Sequence, residues 1–312
     1  MKPGYIAKKL LYLFITFFII ITVSFFLMRF APGSPFTSEK ALDEDTLKYQ
    51  MARYGYDKPL SVQYGMYLKN IVQGNLGPSL SYRGRTVAGI IRQAAPYSCA
   101  LGIIALVLSY CSGIVISMIC VVKRDTWLDY SLLFFALLGI GIPGFLLAKV
   151  ALYVLGYVLK ITPTAGYEGF SSLFLPGIIL SFPYIAYITR MGRKSFGDEY
   201  NRDYIRTAYA AGIPEKRILF TQVLKNGFLP LLTFMGPAAA ALMTGTVVIE
   251  KVFALPGLGK YFVYGALNRD HFLVMGVVIL YSSMLLVFNF IIDIMYHVID
   301  PRISVEGDDG RT

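Results

Sequence analysis

Charged residues are scarce in this sequence, and that scarcity excludes a soluble protein. They make up 15% of the 312 residues, whereas hydrophobic residues make up 56%. A soluble domain with a hydrated surface carries about 25% charged residues. Most of the chain is therefore expected to lie in lipid. The net charge of +10 is expected to interact with the anionic headgroups of membrane lipid. No nucleic-acid partner is expected, because no compact basic domain is present to display such a patch.

Cysteine and histidine are also rare, which argues against a disulfide framework and a metal centre. The three cysteines lack CxxC spacing and share one apolar stretch, so we interpret them as small apolar filler. They are Cys99, Cys111 and Cys120. His271 and His297 flank the last apolar stretch and cannot share a metal ion within one chain. His297 and Asp300 have no nucleophile nearby, and helix capping is their favoured role. We expect no catalytic residues, no metal and no cofactor in this chain.

Long uncharged runs predict an all-α polytopic membrane protein with six transmembrane helices, because about 20 helical residues cross a bilayer core. The runs are Leu10–Met28, Tyr97–Val122, Tyr130–Ala148, Phe170–Thr189, Gly227–Ile249 and Phe272–Ile292. The third run contains Pro143, which predicts a kink, and it can continue to Leu159. The first run is longer than a usual signal core and lacks a good cleavage site, so we expect it to stay attached.

The positions of Lys and Arg predict that both termini are cytoplasmic. With the N-terminus inside, the short inner loops and tails hold 15 of these residues and the short outer loops hold 4. The predicted division of the chain is a cytoplasmic N-terminus with the first helix, an extracytoplasmic insertion, a transmembrane core and a cytoplasmic tail. These parts are residues 1–30, 31–96, 97–295 and 296–312. Two short helices are expected in the insertion, near Leu42–Arg53 and Val62–Val72, packed on the rim of the bundle.

A long polar segment, residues 198–227, lies between the fourth and fifth predicted spans. Its pattern predicts two helices joined at Ala211-Gly212-Ile213-Pro214, since Gly suits a helix C-terminus and Pro the first position of the next helix. A stripe of aromatic and small residues is predicted on one face: Tyr200, Tyr204, Ala208 and Ala211, beside a charged row of Arg202 and Arg206. Such a helix suits a groove on another protein. A membrane-surface helix is the alternative.

Candidate pathway residues lie in the last two spans. Asn289 and Asp293 recur at four-residue spacing and share one helical face. Ionisable groups in spans are costly and often functional, so this face is either a gate or a structural network that holds the helix. Pro237 and Thr244 belong to a fifth span rich in small residues, which permits either close helix packing or a wall of the pathway.

Two nucleotide-binding patterns are present only by letter. Gly139-Ile-Gly-Ile-Pro-Gly144 matches a dinucleotide fingerprint, but it lies within a predicted span with no strand before it. Leu258-Gly-Lys-Tyr261 lacks the first Gly and the Ser or Thr of a phosphate loop. Neither pattern has the context that its chemistry needs, so this chain is not expected to bind ATP.

The polar segment resembles the docking loop of permease subunits from bacterial ABC importers, in the form of the oligopeptide, dipeptide and nickel group. The matching stretch is Asp203-Tyr-Ile-Arg-Thr-Ala-Tyr-Ala-Ala-Gly212, followed by Leu229-Pro230. Where the general motif has Glu-Ala-Ala, this chain has Arg206-Thr207-Ala208. Further blocks resemble the same group: Arg29–Pro35, Asp57–Leu60 with Gln63-Tyr64, Gly74–Gly77, Phe253–Gly259, Arg269-Asp270 and Asp300–Arg302. The insertion at 31–96 resembles that of the first permease of the pair.

The resemblance implies a transport subunit, not an enzyme, in the bacterial cytoplasmic (inner) membrane. It implies a second homologous permease, two cytoplasmic ATPase subunits that bind ATP and Mg, and an extracytoplasmic solute-binding protein. Peptides are the implied substrate, with nickel or another metal chelate as the alternative. The implied ATPase-coupling residues are Asp203, Tyr204, Arg206, Thr207, Ala208, Ala211 and Gly212.

Two other function classes fit the residues less well. A secondary transporter driven by an ion gradient needs carboxylates distributed through several spans, and this chain has few. An intramembrane enzyme would depend on His297 or Asp300.

Overall fold

The computed structural model describes residues 3–31, 44–82, 84–244 and 247–299. In this part of the chain every regular element is a helix, and the one β-type contact is an isolated bridge between Pro78 and Thr86. Five of the helices are long and apolar enough to cross a bilayer, or six if one sharply bent pair counts as a single span. The predicted all-α class is confirmed, and six spans are obtained with the bent pair as one.

The helices divide between two compact units, and α4 and α14 contribute residues to both. Among the described residues, the smaller unit comprises those up to 98 and 256–286, and the larger comprises those in 99–255 and 287–299. The first four helices are α1 Pro3–Phe30, α2 Glu44–Arg53, α3 Leu60–Val72 and α4 Val87–Val122. The two helices predicted in the insertion are thus present as α2 and α3. The α4 helix starts at Val87 rather than Tyr97, because it accommodates Arg92 and Pro96, where the uncharged run stops.

The third predicted span is a bent pair. It comprises α5 Trp127–Gly141 and α6 Gly144–Ala151, extended by a π-helical stretch Leu152–Val158, with an angle of 101° between the arms. Pro143 has no N–H and restricts the residue before it to extended conformations, and Ile142 is extended, with φ −99° and ψ 125°. The predicted kink is confirmed, and the third span is a sharply bent helix pair. The nucleotide-like glycines lie at this break with helix on either side.

The remaining helices begin with the span that leads into the polar segment. A 3₁₀ turn, Phe170–Leu173, opens α7 Phe174–Tyr200. Short helices follow: α8 Asp203–Ala210, α9 Glu215–Ile218, a π-helical turn Leu219–Val223 and α10 Leu224–Gly227. The last four are α11 Leu229–Thr244, α12 Val247–Val252, α13 Leu258–Leu267 and α14 His271–Ile299. The α13 helix has no counterpart among the predicted elements.

In the smaller unit, a buried carboxylate holds the loop before α4. Asp270 is fully buried; Ser79 Oγ donates to its Oδ2 at 2.5 Å, and the backbone N–H of Ser81 donates to the same oxygen at 2.9 Å. The N–H of Leu273, at the start of α14, donates to the other oxygen at 3.1 Å. A carboxylate that accepts several hydrogen bonds can be buried at an acceptable cost. Asp270 therefore ties residues 79–81 to the α13–α14 junction.

The insertion packs on α1 through aromatic side chains. The ring of Tyr67 in α3 stacks on Phe25 of α1 with centroids 5.2 Å apart, and the hydroxyl groups of Tyr64 and Thr22 are 2.7 Å apart. Tyr56 lies outside the spans, and the guanidinium of Arg29, in the last turn of α1, is 3.6 Å from the centre of its ring. Burial is the main cause that raises the pKa of Tyr56 to about 12. Aromatic pairs of this kind stabilise beyond the area that they bury. The insertion is therefore packed directly against a membrane helix.

In the larger unit, α5 and α7 approach closely at a glycine. A β-carbon placed on Gly139 would lie 2.5 Å from the carbonyl oxygen of Phe182, whereas one placed on Gly141 would meet nothing within 4 Å. The contact at Gly139 is with backbone, so the helices themselves would have to separate.

We expect Gly139→Ala to destabilise the chain by roughly 1–3 kcal/mol, because added volume at a backbone contact forces the two helices apart. Gly141→Ala is the matched control two residues away, and it is expected to be neutral or slightly stabilising, since Ala favours a helix over Gly. Thermal unfolding of each purified full-length variant in detergent measures the difference. Equal melting temperatures would contradict the close approach of α5 and α7.

Candidate functional site: a docking segment on α7 and a polar face in the membrane

The polar segment continues directly from a membrane helix. After Tyr200 the chain turns through Asn201 and Arg202, where the Asn201 side-chain amide donates to the Gly197 carbonyl at 2.8 Å, and α8 begins at Asp203. Tyr200 therefore belongs to α7 and not to α8. The predicted stripe that joined Tyr200 to Tyr204 is wrong, because the helix ends between them.

The predicted elbow at Gly212 is present and has defined geometry. The N–H of Gly212 donates to the carbonyl of Tyr209 at 2.9 Å, and the N–H of Ile213 donates to that of Ala208 at 3.2 Å. These two bonds form a Schellman motif, which needs a left-handed residue at the first position after the cap, and Gly212 has φ +75°. The next helix begins at Glu215 with Pro214 as its N-cap. Pro214 was predicted to be the first residue of that helix, so it lies one position before the predicted one.

The inner surface of the docking segment, residues 203–227, is an apolar contact with the end of α7. Ile205, Ile218, Val223 and Phe196 are each at most 1% exposed, and Ala208 is 6% exposed. They belong to one buried cluster. Burying side chains of this size stabilises by about 1.5–3 kcal/mol each. Because these inner side chains are apolar, α8 and the short helices after it pack firmly on α7.

Polar contacts reinforce this attachment at both ends of the segment. Ser195 Oγ of α7 donates to the carbonyl of Gly227 at 2.7 Å, and a β-carbon on Gly227 would lie 2.7 Å from Phe196 Cδ1. The hydroxyl groups of Tyr200 and Tyr209 are 2.8 Å apart, and Tyr200 also donates to Glu215 at 3.1 Å. These contacts connect the start, elbow and end of the segment to one helix.

Tyr204 belongs to this attachment rather than to an open surface. Its hydroxyl donates to Glu199 of α7 and accepts a hydrogen bond from the Asn226 side chain at 2.9 Å. Burial, followed by the hydrogen bond to Glu199, raises the pKa of the Tyr204 hydroxyl. Although 41% of the residue is exposed, its polar end is directed at the chain itself.

The outer surface of α8 carries most of the predicted coupling residues. Asp203, Arg206, Thr207 and Ala210 are exposed, followed by Ala211 and Gly212 at the elbow. Arg206 and Asp203 form an exposed ion pair at 3.6 Å. Ala208 lies on the opposite, buried surface, so the predicted stripe of Tyr204, Ala208 and Ala211 does not face outward as one surface. The coupling role of these residues stays a prediction.

A buried ion pair next to this segment was not predicted from the sequence. Asp129, at the start of α5, is fully buried and accepts from Arg193 Nε at 2.9 Å and Nη2 at 2.6 Å. The N–H of Asp125 also donates to it at 3.1 Å. Paired in this way, the carboxylate sets the level of α5 against α7. The sequence signal was an acidic residue next to an apolar run, five residues after Arg124 of the basic pair Lys123-Arg124.

The candidate pathway residues fall on α11 and α14. A β-carbon on Gly236 would lie 2.7 Å from Asn289 Oδ1, so Asn289 packs against α11 beside the exposed Pro237. Asp293 is half-buried one turn further along α14. The side chain of Thr244, like residues Asp300–Arg302, lies outside the described residues. The contact with Gly236 gives Asn289 a packing role; a gating role stays a prediction.

One face of α11 is exposed although the helix is in a bundle. Thr233, Pro237 and Ala241 are exposed at spacings of four, whereas the opposite face is fully packed. The packed residues include Leu231, Leu232, Ala238, Ala239, Leu242 and Met243, none more than 1% exposed. The exposed face carries small or weakly polar side chains, unlike the large apolar residues exposed on α5, such as Phe134 and Phe135.

Comparison with known proteins identifies this architecture. The profile of the family "Binding-protein-dependent transport system inner membrane component" matches residues 113–305, and the N-terminal profile of the same kind of membrane component matches residues 4–83. The chain belongs to this family. The family assignment and the membrane-spanning helices establish a multi-pass membrane component of a transport system.

Relatives in this family match from end to end. The oligopeptide transport system permease protein OppB of Salmonella typhimurium is 41% identical over 96% of this chain and 98% of its own length. The dipeptide transport system permease protein DppB of Bacillus subtilis is 36% identical over the same shares. A solved inward-facing structure of the MetNI methionine ABC transporter matches 68% of this chain and 96% of its own, with a TM-score of 0.57 at 15% identity. That likeness confirms the fold of the family.

Ala208 is buried against α7, whereas Ala211 is exposed, so a substitution at Ala208 tests the packing of α8 on α7. We expect Ala208→Glu to destabilise the purified chain by at least about 2 kcal/mol, because it places an unpaired carboxylate in the apolar contact with α7. Ala211→Glu is the matched control, and its carboxylate remains in solvent at unchanged stability. Thermal unfolding in detergent compares the two variants. Equal stability would place Ala208 outside the buried surface.

Proposed function

We propose that this chain is a permease subunit of an ABC importer and conducts peptides across the membrane without chemistry on them. The observation that carries the substrate class is the similarity over 96% of the chain to permeases named for oligopeptides and dipeptides. It favours peptides over a nickel chelate, which would use the same architecture.

The exposed face of α11 supports a shared pathway. A helix in lipid gains nothing from exposing small residues, whereas small residues permit close approach of a neighbouring helix or a substrate. We infer that a second, homologous permease covers this face and that Thr233 and Pro237 border the path between the two subunits. Asn289 supports this wall by its contact with Gly236.

The outer surface of α8 is the proposed docking surface for one of two cytoplasmic ATPase subunits. The other ATPase subunit would dock on the second permease. ATP and Mg are held by those subunits, and this chain's role is mechanical. Closure of the ATPases would displace α8, and the displacement reaches α7 because the inner surface of the segment is packed on Phe196. A ligand shifts such an equilibrium only through different contacts in the two states. The partner must therefore contact Asp203, Thr207 and Ala211 differently when ATP is bound.

This docking places the segment and both termini in the cytoplasm, in agreement with 15 Lys and Arg in the inner loops and tails against 4 in the outer loops. The membrane is then the bacterial cytoplasmic membrane. The insertion, with α2 and α3, would face the extracytoplasmic solute-binding protein that delivers the peptide.

Thiol crosslinking tests the docking surface directly. In an assembly whose chain has Cys99, Cys111 and Cys120 replaced by alanine, Thr207→Cys and Ala208→Cys differ by one position and by exposure. A maleimide that carries a benzophenone is expected to attach to the Thr207→Cys thiol and, on illumination, to join this variant to an ATPase subunit, whereas the Ala208→Cys variant should stay unreacted. Addition of ATP should change the yield for Thr207→Cys.

Crosslinks from Thr207→Cys to phospholipid alone would refute docking and would revive the membrane-surface alternative. The Ala208→Cys variant serves as the control for accessibility, because its side chain is buried by residues of the same chain.

Uptake into proteoliposomes tests the substrate class. The assembly, with its receptor outside and ATP at the ATPase side, is expected to accumulate radiolabelled dipeptides and short oligopeptides saturably, and excess nickel should not compete. Saturable nickel uptake without peptide uptake would overturn the peptide assignment. Accumulation by this chain without ATPases, driven by an ion gradient, would overturn the ABC mechanism itself.

A further inference from the structure

A basic pocket lies between α4, α5 and α7 of the larger unit, with a volume of about 410 Å³. Its walls carry the cations Arg124, Arg190, Arg193 and Lys194, with Asp198 as the one lining carboxylate. Its apolar lining includes Leu133 and Leu137 of α5. A cationic rim over an apolar floor is the composition that suits an amphiphile with an anionic head and a hydrocarbon chain.

The charges of the pocket are only partly neutralised by the chain. Arg193 is paired with the buried Asp129 at 2.6 Å, and Arg124 lies 3.8 Å from the exposed Asp125. Within the described part of the chain, no carboxylate lies at ion-pair distance from Arg190 or Lys194. These two residues are both exposed and are four residues apart on α7, so they project from the same face of the helix.

The position of Arg190 along α7 favours an anion from the bilayer as its partner. The Asp129–Arg193 pair sets α5 and α7 at one level, and the helices run in opposite directions from there. Arg190 is about one helical turn deeper than Arg193, near the level of Leu133, at a rise of about 1.5 Å per residue. Trp127 and Tyr130, exposed at the start of α5, are residues typical of the membrane interface. A guanidinium below that level is costly unless it reaches an anion.

Cations from two sides of the pocket surround its opening. Arg124 extends across the opening to α7, where a β-carbon on Gly197 would lie 3.9 Å from its Nη1. Arg124 from one side and Arg190 and Lys194 from the other therefore surround the same space. With Asp198 and Asp125 at the rim, the excess is about one positive charge, which matches a single phosphodiester.

We propose that this pocket binds the phosphodiester headgroup of an anionic phospholipid, with Arg190 and Lys194 as its main ligands and one acyl chain along Leu133 and Leu137. The site lies on α7, and Lys194 and Arg190 come roughly two and a half to three and a half turns before the docking segment, at the same membrane face. It does not depend on the identity of the transported substrate.

Native mass spectrometry of the detergent-solubilised assembly tests the site. The probes are dioleoyl phosphatidylglycerol, dioleoyl phosphatidylcholine and inorganic phosphate, each added separately. We expect the Arg190→Gln/Lys194→Gln double variant to lose phosphatidylglycerol occupancy at least fivefold, whereas phosphatidylcholine occupancy stays unchanged. Lys160→Gln/Lys260→Gln, at two other exposed lysines, is the matched loss of two positive charges and should retain phosphatidylglycerol. Arg190→Lys should restore most of the binding lost in an Arg190→Gln single variant.

Equal phosphatidylglycerol occupancy in the Arg190→Gln/Lys194→Gln and Lys160→Gln/Lys260→Gln variants would overturn the proposal, because the adducts would then be non-specific. Saturation by inorganic phosphate at the same concentration would also overturn it in favour of a free-anion site. Recovery of the assembly with all subunits serves as the readout for folding, so a lost adduct on an intact assembly is attributable to the pocket. A photoreactive side chain at Leu133 that labels a protein subunit instead of lipid would assign the pocket to a subunit interface.

Discussion

The apolar contact between the end of α7 and the inner surface of the docking segment is the constraint on which the rest of this structure depends. Phe196 is fully buried beneath Ile205 and Ile218, and the Ser195–Gly227 hydrogen bond closes the other end. Without this contact, α8 would be a short helix on a flexible loop, since an isolated helix of 8 residues is not stable in water. With it, α8 is held against a membrane helix, so under the proposed coupling a displacement of α8 would also displace α7.

Much of the fold was predictable because bilayer thickness sets a length and lipid excludes charge. The apolar runs gave α1, α4, α7 and α14 their correct type, and the Pro143 kink followed from the missing N–H. Helix ends were less predictable. The α4 helix passes through Arg92 to Val87, because one long cationic side chain can reach the interface while the backbone stays helical. An uncharged-run criterion cannot represent that behaviour.

The docking segment was recognisable from its sequence, but its two surfaces were not. A period of four placed Tyr200, Tyr204 and Ala208 on one stripe only if the helix was continuous, and the turn at Asn201–Arg202 interrupts it. Ala208 and Ile205 then turn toward α7 because the buried partners, Phe196 and Val223, come from elsewhere in the chain. The Asp129–Arg193 pair could not be predicted from the sequence for the same reason. Its members are 64 residues apart, and no local sequence pattern indicates such contacts.

The α7 helix combines two attachments whose separation matters for force transmission. The docking segment holds its end, and the Asp129–Arg193 pair holds it to α5 one to two turns before that end. A helix pushed at its end tilts only if a point along it resists translation. The ion pair supplies that point within the chain, and a phospholipid on Arg190 and Lys194 would add a second at the membrane interface. Under both proposals the bilayer would determine how far α7 slides and how far it tilts, and a lipid headgroup and an ATPase subunit would act on the same helix at neighbouring positions.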